Sequence, residues 1–246
     1  LLYDRSLLRI HLRDLPVFLS AAINGYLLMN ICYNTSVGIL TLTLASVLLC
    51  LCPIFVLLLS AVFFHEKITP VKVSCMLAAV VGCALISGVF DTHTAFVWST
   101  VGILTGLGSA FFNAIYTINS KQLTARSYHA LTINIYIFAI TTLILSPFAD
   151  WNAIGAFVSA APCKGAAFYL AQALVTSILP NFFYAASIKY IDSGNAAILS
   201  CGAEPTAAML LGILLYNEIP APSGLLGLAV TISALIILTK ASKTES

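Results

Sequence analysis

The sequence predicts an all-α polytopic membrane protein, and three observations carry that reading. Hydrophobic residues make up 60% of the 246 residues and charged residues only 8%, with a mean hydropathy of +1.02; a water-soluble domain carries roughly 25% charged residues. The apolar stretches run for about 18 residues or more, without the alternation of a barrel strand, which makes them helices of spanning length. Two of these stretches also match each other: Pro53 is followed by Glu66 and, 152 positions further on, Pro205 is followed by Glu218.

Eight spans follow in order: Leu15–Tyr33, Thr41–Phe64, Pro70–Gly88, Phe96–Asn119, Leu131–Phe148, Ala166–Ile188, Asn195–Tyr216 and Ser223–Thr239. The connections are short and hold most of the charge. Ala149–Gly165 is longer, and its Trp151, Phe157 and Pro162 mark a segment expected to lie at the membrane interface. With the amino end inside and the spans alternating, Arg5, Arg9, Arg13, Lys67, Lys72, Lys121, Arg126, Lys189, Lys240 and Lys243 fall inside and only Lys164 outside. That is the bias Lys and Arg show towards the cytoplasmic face. Trp98 and Trp151 then sit at the outer interface as an aromatic belt. Both chain ends are expected to be cytoplasmic, in the cell membrane.

This numbering makes the repeat an inverted one. Pro53 lies in the second span and Pro205 in the seventh, so the two copies run in opposite directions across the membrane. A proline inside a helix frees a carbonyl and bends the rod, and the expectation is one bend in each copy. The repeat unit is five helices. Residues 1–90 hold the last three helices of the first unit and residues 91–246 the five of the second, so two helices are expected before Leu1. The fold class expected is eight visible helices of a ten-helix, five-plus-five inverted repeat.

The stretches LASVLLCLCPIFVLLLSAVFFHEKIT and ILSCGAEPTAAMLLGILLYNEIP resemble the two halves of EamA-type transporters of the drug/metabolite transporter superfamily, and the likeness covers essentially the whole chain. The resemblance implies two inverted bundles around a central cavity and passage of small metabolites, amino acids or drugs, commonly as export. It carries two departures: the two helices expected before Leu1 would supply part of the cavity wall, and Cys52 precedes the first proline where Glu204 precedes the second.

Glu204 is the leading candidate in the cavity. Ten residues into its span, a carboxylate is costly and should face a cavity or a partner. Burial would raise its pKa and favour a neutral form able to carry a proton. The competing reading is an acidic cap beside Pro205 at the start of a half-helix. Ser109, Asn113, Tyr116 and Ser120 form a stripe on the fourth span by their spacing, as do Tyr26, Asn30 and Tyr33 on the first. Thr43, Ser46, Cys50 and Pro53 do so on the second, and Gln172 and Thr176 precede Pro180 and Asn181 on the sixth. Such a lining binds a small polar solute through neutral hydrogen bonds. The competing reading is helix-to-helix glue at roughly 0.6 kcal/mol per group. Pro53, Pro205 and Pro180 are the expected bends. Gly102 and Gly106 read as a close helix contact. Glu66 and Glu218 read as interface markers, with Glu66 paired to Lys67 or Lys72.

No HExxH, GxSxG or phosphate-binding glycine loop is present, and no cofactor or enzyme activity is expected. His11, His65, His93 and His129 are scattered and form no ligand set. The seven cysteines read as small apolar fillers. Asn34-Thr35-Ser36 matches a glycosylation pattern but hugs the membrane, which favours chance. The partners expected are the lipid bilayer, a small-molecule solute, protons and a second copy of the chain; no basic cluster fits nucleic acid. The alternative function is a non-transporting membrane scaffold.

Overall fold

Hydrocarbon offers no partner to a backbone N–H or C=O, so each apolar run must bond to itself as a helix. The computed structural model describes residues 10–40, 42–87, 99–160, 162–216 and 222–245, and these are helical almost throughout, without a strand among them. Arg5, Arg9, His93, Trp98 and Glu218 lie outside the described residues, as do the side chains of Thr43, Thr176, Glu204, Pro205 and Lys243.

The helices are α1 Leu15–Ser20, α2 Leu28–Ile39, α3 Leu42–Leu49, α4 Cys52–Phe64, α5 Pro70–Ile86, α6 Thr100–Ala125, α7 Ala130–Leu145, α8 Trp151–Ala160, α9 Pro162–Gln172, α10 Leu179–Ser187, α11 Ser193–Tyr216 and α12 Pro222–Glu245. Wider π turns join α1 to α2 (Ala21–Leu27) and α9 to α10 (Ala173–Ile178). Among the described residues six helices are long and apolar enough to cross a membrane: Leu12–Ile39, Leu44–Phe64, Thr100–Ala125, Ala130–Phe148, Pro162–Ser187 and Pro222–Ala241. The other two expected spans coincide with the shorter apolar helix Pro70–Ile86 and with the 24-residue α11. The segment expected at the interface holds a ten-residue helix, α8.

The offset found in the sequence returns in the element boundaries. The π turns begin at Ala21 and Ala173, the helices after the proline-bearing runs begin at Pro70 and Pro222, and those runs end at Phe64 and Tyr216. Each pair is 152 residues apart. The prolines themselves behave differently. Near Pro53 the helix tightens into a turn at Cys50 and Leu51, where the Leu51 and Ile54 N–H groups bond three residues back, to the Leu48 and Leu51 carbonyls at 3.1 and 3.0 Å; α4 restarts with Pro53 in its first turn, where a missing N–H costs nothing. α11 instead runs unbroken from Ser193 to Tyr216 through Glu204 and Pro205. One turn of α11 can absorb the lost bond, and there the Thr206 hydroxyl donates to the Gly202 carbonyl at 2.7 Å. Pro180 stands in the first turn of α10, directly after a π turn.

The chain divides into two compact units, Leu1–Ile23 with Asn119–Tyr190 and Asn24–Ile118 with Ile191–Ser246. In the first, α7 packs on α1 and α10. Phe18 sits fully buried between Tyr128 (5.3 Å, edge-on) and Tyr136 (5.5 Å). Asp14 accepts from the Tyr128 hydroxyl at 2.6 Å and pairs with Arg126, which ties the start of α1 to the turn before α7.

In the second unit α5 lies along α12 and α11, with Leu57, Met76, Ala79, Ile198 and Leu238 in one apolar cluster. A second cluster joins Cys52 and Val56 of α4 to Ala110 and Ala114 of α6 and Ala197 of α11. Between lipid-solvated helices the attraction is close van der Waals packing, for which small residues are needed. Gly227 of α12 meets that need: a Cβ there would lie 2.7 Å from the Gly82 carbonyl oxygen and 2.8 Å from the Ile86 nitrogen. Gly102 and Gly106 serve α6 likewise against Leu40 and Leu48. Ser36 is fully buried and donates to the Gly102 carbonyl at 2.9 Å, so the Asn34-Thr35-Ser36 triplet ends in a helix contact.

Gly227→Ala should therefore destabilise the protein by about 1–3 kcal/mol, because backbone rather than a movable side chain blocks the new methyl. Gly38→Ala, with nothing within 4 Å of the added Cβ, should be neutral or raise stability by up to about 1 kcal/mol. Thermal unfolding in detergent distinguishes them.

Candidate functional site

Irregular backbone at membrane depth must be held by specific partners, so the π turn Ala21–Leu27 shows where the chain departs from plain helix for a reason. It lies against α6. Gly25 permits the approach: a Cβ there would sit 2.8 Å from the Tyr116 Cα. The rings of Tyr26 and Tyr116 stand 6.3 Å apart in a tilted pair, with Tyr116 only 3% exposed. The Asn30 amide donates to the Tyr26 carbonyl at 2.8 Å, bonding a carbonyl of the widened turn. Three candidates from two stripes, Tyr26, Asn30 and Tyr116, thus meet at one place, and half-buried Asn113 lies one helical turn along α6 from Tyr116. Tyr33 reaches the Ser46 hydroxyl at 3.1 Å, which links the first stripe to the second.

Two other members of the stripes are turned onto their own helices: Ser46 donates to the Leu42 carbonyl and Ser109 to the Gly106 carbonyl. Thr117 and Thr124, outside the stripes, donate likewise to the Asn113 and Ser120 carbonyls. Ser120 is fully buried, and its hydroxyl oxygen has no hydrogen-bond partner among the described residues. In the first unit Gln172 is exposed just before the second π turn. There the Asn181 amide donates to the Ser177 carbonyl at 2.8 Å, the same clamp Asn30 makes. Glu204 belongs to α11, with its side chain outside the described set.

A second polar constellation lies in the unit of α4, α5 and α11. Glu66 does not pair with Lys67 or Lys72 as expected. Its carboxylate accepts from the Ser193 N–H at 3.2 Å, the Ser193 hydroxyl at 2.9 Å and the Gly194 N–H at 3.5 Å, so it caps the start of α11. The positive end of the helix attracts it there more strongly than a solvated lysine would. Lys72, its side chain 5% exposed, donates to Asp192 at 2.8 Å and to the Lys67 carbonyl at 3.3 Å. Asp192 is 46% exposed. Glu66, Lys67, Lys72 and Asp192 line a cavity of about 400 Å³. A second cavity, of about 440 Å³, lies between α5 and α12, lined by Ser74, Cys75, Ala78 and Ser233 among others. Asp192 and Ser193 escaped the sequence reading. The run Asp192-Ser193-Gly194-Asn195 is a helix-start signature that could have flagged them.

Glu66→Ala should cost about 0.5–2 kcal/mol of stability by uncapping α11, and Glu66→Gln less, since an amide oxygen still accepts. Thermal unfolding of the two variants side by side checks the order.

The EamA-like transporter family model matches residues 2–88 and 100–240. Among similar proteins, the pseudopaline exporter CntI of Pseudomonas aeruginosa is 28% identical over 232 residues, covering 94% of this chain and 77% of that protein. A Streptantibioticus cattleyicolor protein named "probable terminal-alkyne amino-acid exporter" is 24% identical over 230 residues, 93% of this chain and 74% of its own length. An uncharacterized transporter of Archaeoglobus fulgidus is 31% identical over 159 residues, 61% of this chain and 55% of its own. One crystal structure aligns with a TM-score of 0.78 at 17% identity, covering 100% of this chain and 82% of that chain, which is a likeness of fold. With matched segments that take in most of the sequence and six helices able to cross a membrane, this chain is a multi-pass membrane protein of a family that moves small solutes, and it belongs to the EamA-like transporter family.

Proposed function

We propose that the protein is a secondary transporter that exports small amino-acid-like or drug-like metabolites by alternating access. The observation that carries this reading is the pair of π turns at one sequence offset, each followed by an asparagine clamped onto a carbonyl of the turn. Interrupted helices at matching places in two repeats are how transporters of this kind build a mid-membrane site. The eight spans are read as part of a five-plus-five inverted repeat, with residues 1–90 in the first copy and 91–246 in the second. Both chain ends are cytoplasmic in this proposal, on the distribution of Lys and Arg.

The proposed cavity groups are Glu204, Asn113, Tyr116, Ser120, Tyr26, Asn30, Ser46 and Gln172. Pro53, Pro180 and Pro205 are the places where helices yield. Asn113 and the tyrosines offer neutral hydrogen bonds to the solute, and Tyr26 and Tyr116 an aromatic wall for its apolar part. Glu204 is proposed as the carrier of a coupling proton, because a carboxyl at membrane depth is costly unless it serves a cavity or a partner. The Streptantibioticus cattleyicolor relative, named for an amino acid, supports an amino-acid-like solute, and both named exporters support export.

Counterflow in proteoliposomes, screened with amino acids and their alkyne analogues, tests the activity. Glu204→Gln should lower flux by roughly tenfold, the worth of one hydrogen bond to a charged group. Asn113→Ala should lower it by roughly two- to tenfold. Wild-type flux in both variants removes these residues from the site. Orientation has its own readout, because Cys163 is exposed while the other six cysteines are buried or half-buried. A membrane-impermeant maleimide added outside intact cells should label Cys163, and a Cys163→Ser variant should lose the label. Labelling that needs permeabilised cells reverses the topology.

A further inference from the structure

A lysine with 5% of its side chain exposed, beside water-exposed loops, is an expensive arrangement. Its charge must stay paired, and removing one partner of a buried pair costs several kcal/mol. Lys72 is paired across a long stretch of chain, to Asp192. Together with the three contacts from Glu66 to Ser193 and Gly194, it knots the segment between α4 and α5 to the turn that starts α11. Glu66, Lys72 and Asp192 of the knot, with Lys67, line the charged cavity of about 400 Å³. Nothing equivalent is encoded at the other copy. Glu66 recurs as Glu218, but the positions 152 residues from Lys72 and Asp192 are Gly224 and Leu40. In the inverted reading the two positions face opposite sides of the membrane, so the knot marks the inner face and has no counterpart on the outer one.

We infer that the Glu66–Lys72–Asp192–Ser193 knot is the inner gate of the transport path, closed in this structure, and that the Lys72–Asp192 pair biases the protein towards the inner-closed state. The inference rests on the transport reading and on the inside placement of Lys67 and Lys72. Half-exposed Asp192 makes the knot releasable: water can replace it at the rim, whereas Glu66 and the α11 amides re-form the cap on closure. The pair therefore sets the resting balance between two states, while the cap sets their register.

Electron–electron distance measurement between spin labels at exposed Lys67 and Ser200, in the full chain reconstituted in lipid, tests this without any solute. The wild type should show a dominant short and a minor long distance. Lys72→Gln and Asp192→Asn should each enlarge the long population by roughly fivefold or more, and the swap K72D/D192K should return it towards wild type. A single short distance shared by the wild type and every variant overturns the gate. If Lys72→Gln fails to fold, the wild type and Asp192→Asn decide by the same criterion. Distances that respond while the counterflow screen finds no flux would set aside the transporter reading and leave a two-state gate standing.

Discussion

Everything in this protein is shaped by a solvent that cannot hydrogen-bond. Within hydrocarbon each peptide group must find its partner inside the chain, and that forces plain helix wherever nothing else supplies one. Departures from plain helix are correspondingly informative. The π turn at Ala21–Leu27 persists because Asn30 bonds a carbonyl of the turn and Gly25 lets the turn press on α6. The interruption at Cys50 and Leu51 persists with Pro53 ready to restart the helix and the Cys201 thiol donating to the Cys50 carbonyl at 3.3 Å. Each of these irregularities has a polar side chain attached to it.

The same constraint governs charge. The ion pairs that the structure displays sit at helix starts and turns, where water is near. Asp14 with Arg126 anchors α1, and Lys72 with Asp192 anchors the segment before α11. Helix ends left open would cost several unsatisfied groups, so the acidic residues serve backbone as much as they serve side chains. Glu66 is the clearest case: it accepts from the N–H groups of the first two residues of α11, Ser193 and Gly194, and from the Ser193 hydroxyl.

Hydropathy alone made the helices legible. A run of apolar residues of sufficient length has one solution in lipid, which is why six of the expected segments appear among the described residues as helices long and apolar enough to cross a membrane, with shorter or less apolar helix in the other two. The close contacts of Gly102 and Gly106 were legible for a related reason, since small residues four apart have few other uses in such a helix. What stayed hidden depends on partners distant in sequence. The π turns need α6 or a following asparagine to exist, and no local pattern announces them. Glu66 was assigned to the lysines beside it, whereas its true partners lie 127 and 128 residues away. The two prolines looked alike from their surroundings, yet only the first coincides with an interruption, because the outcome is settled by what each carbonyl can find nearby.

The inward-turned hydroxyls have a further consequence for comparing this chain with its relatives. Thr105, Ser109, Thr117, Thr124, Thr206, Thr231 and Ser233 each spend their proton on a carbonyl of their own helix. A hydroxyl so committed has given up its proton but keeps its lone pairs. A relative with Ala or Val at one of these positions would differ from this chain there by an acceptor and not by a donor.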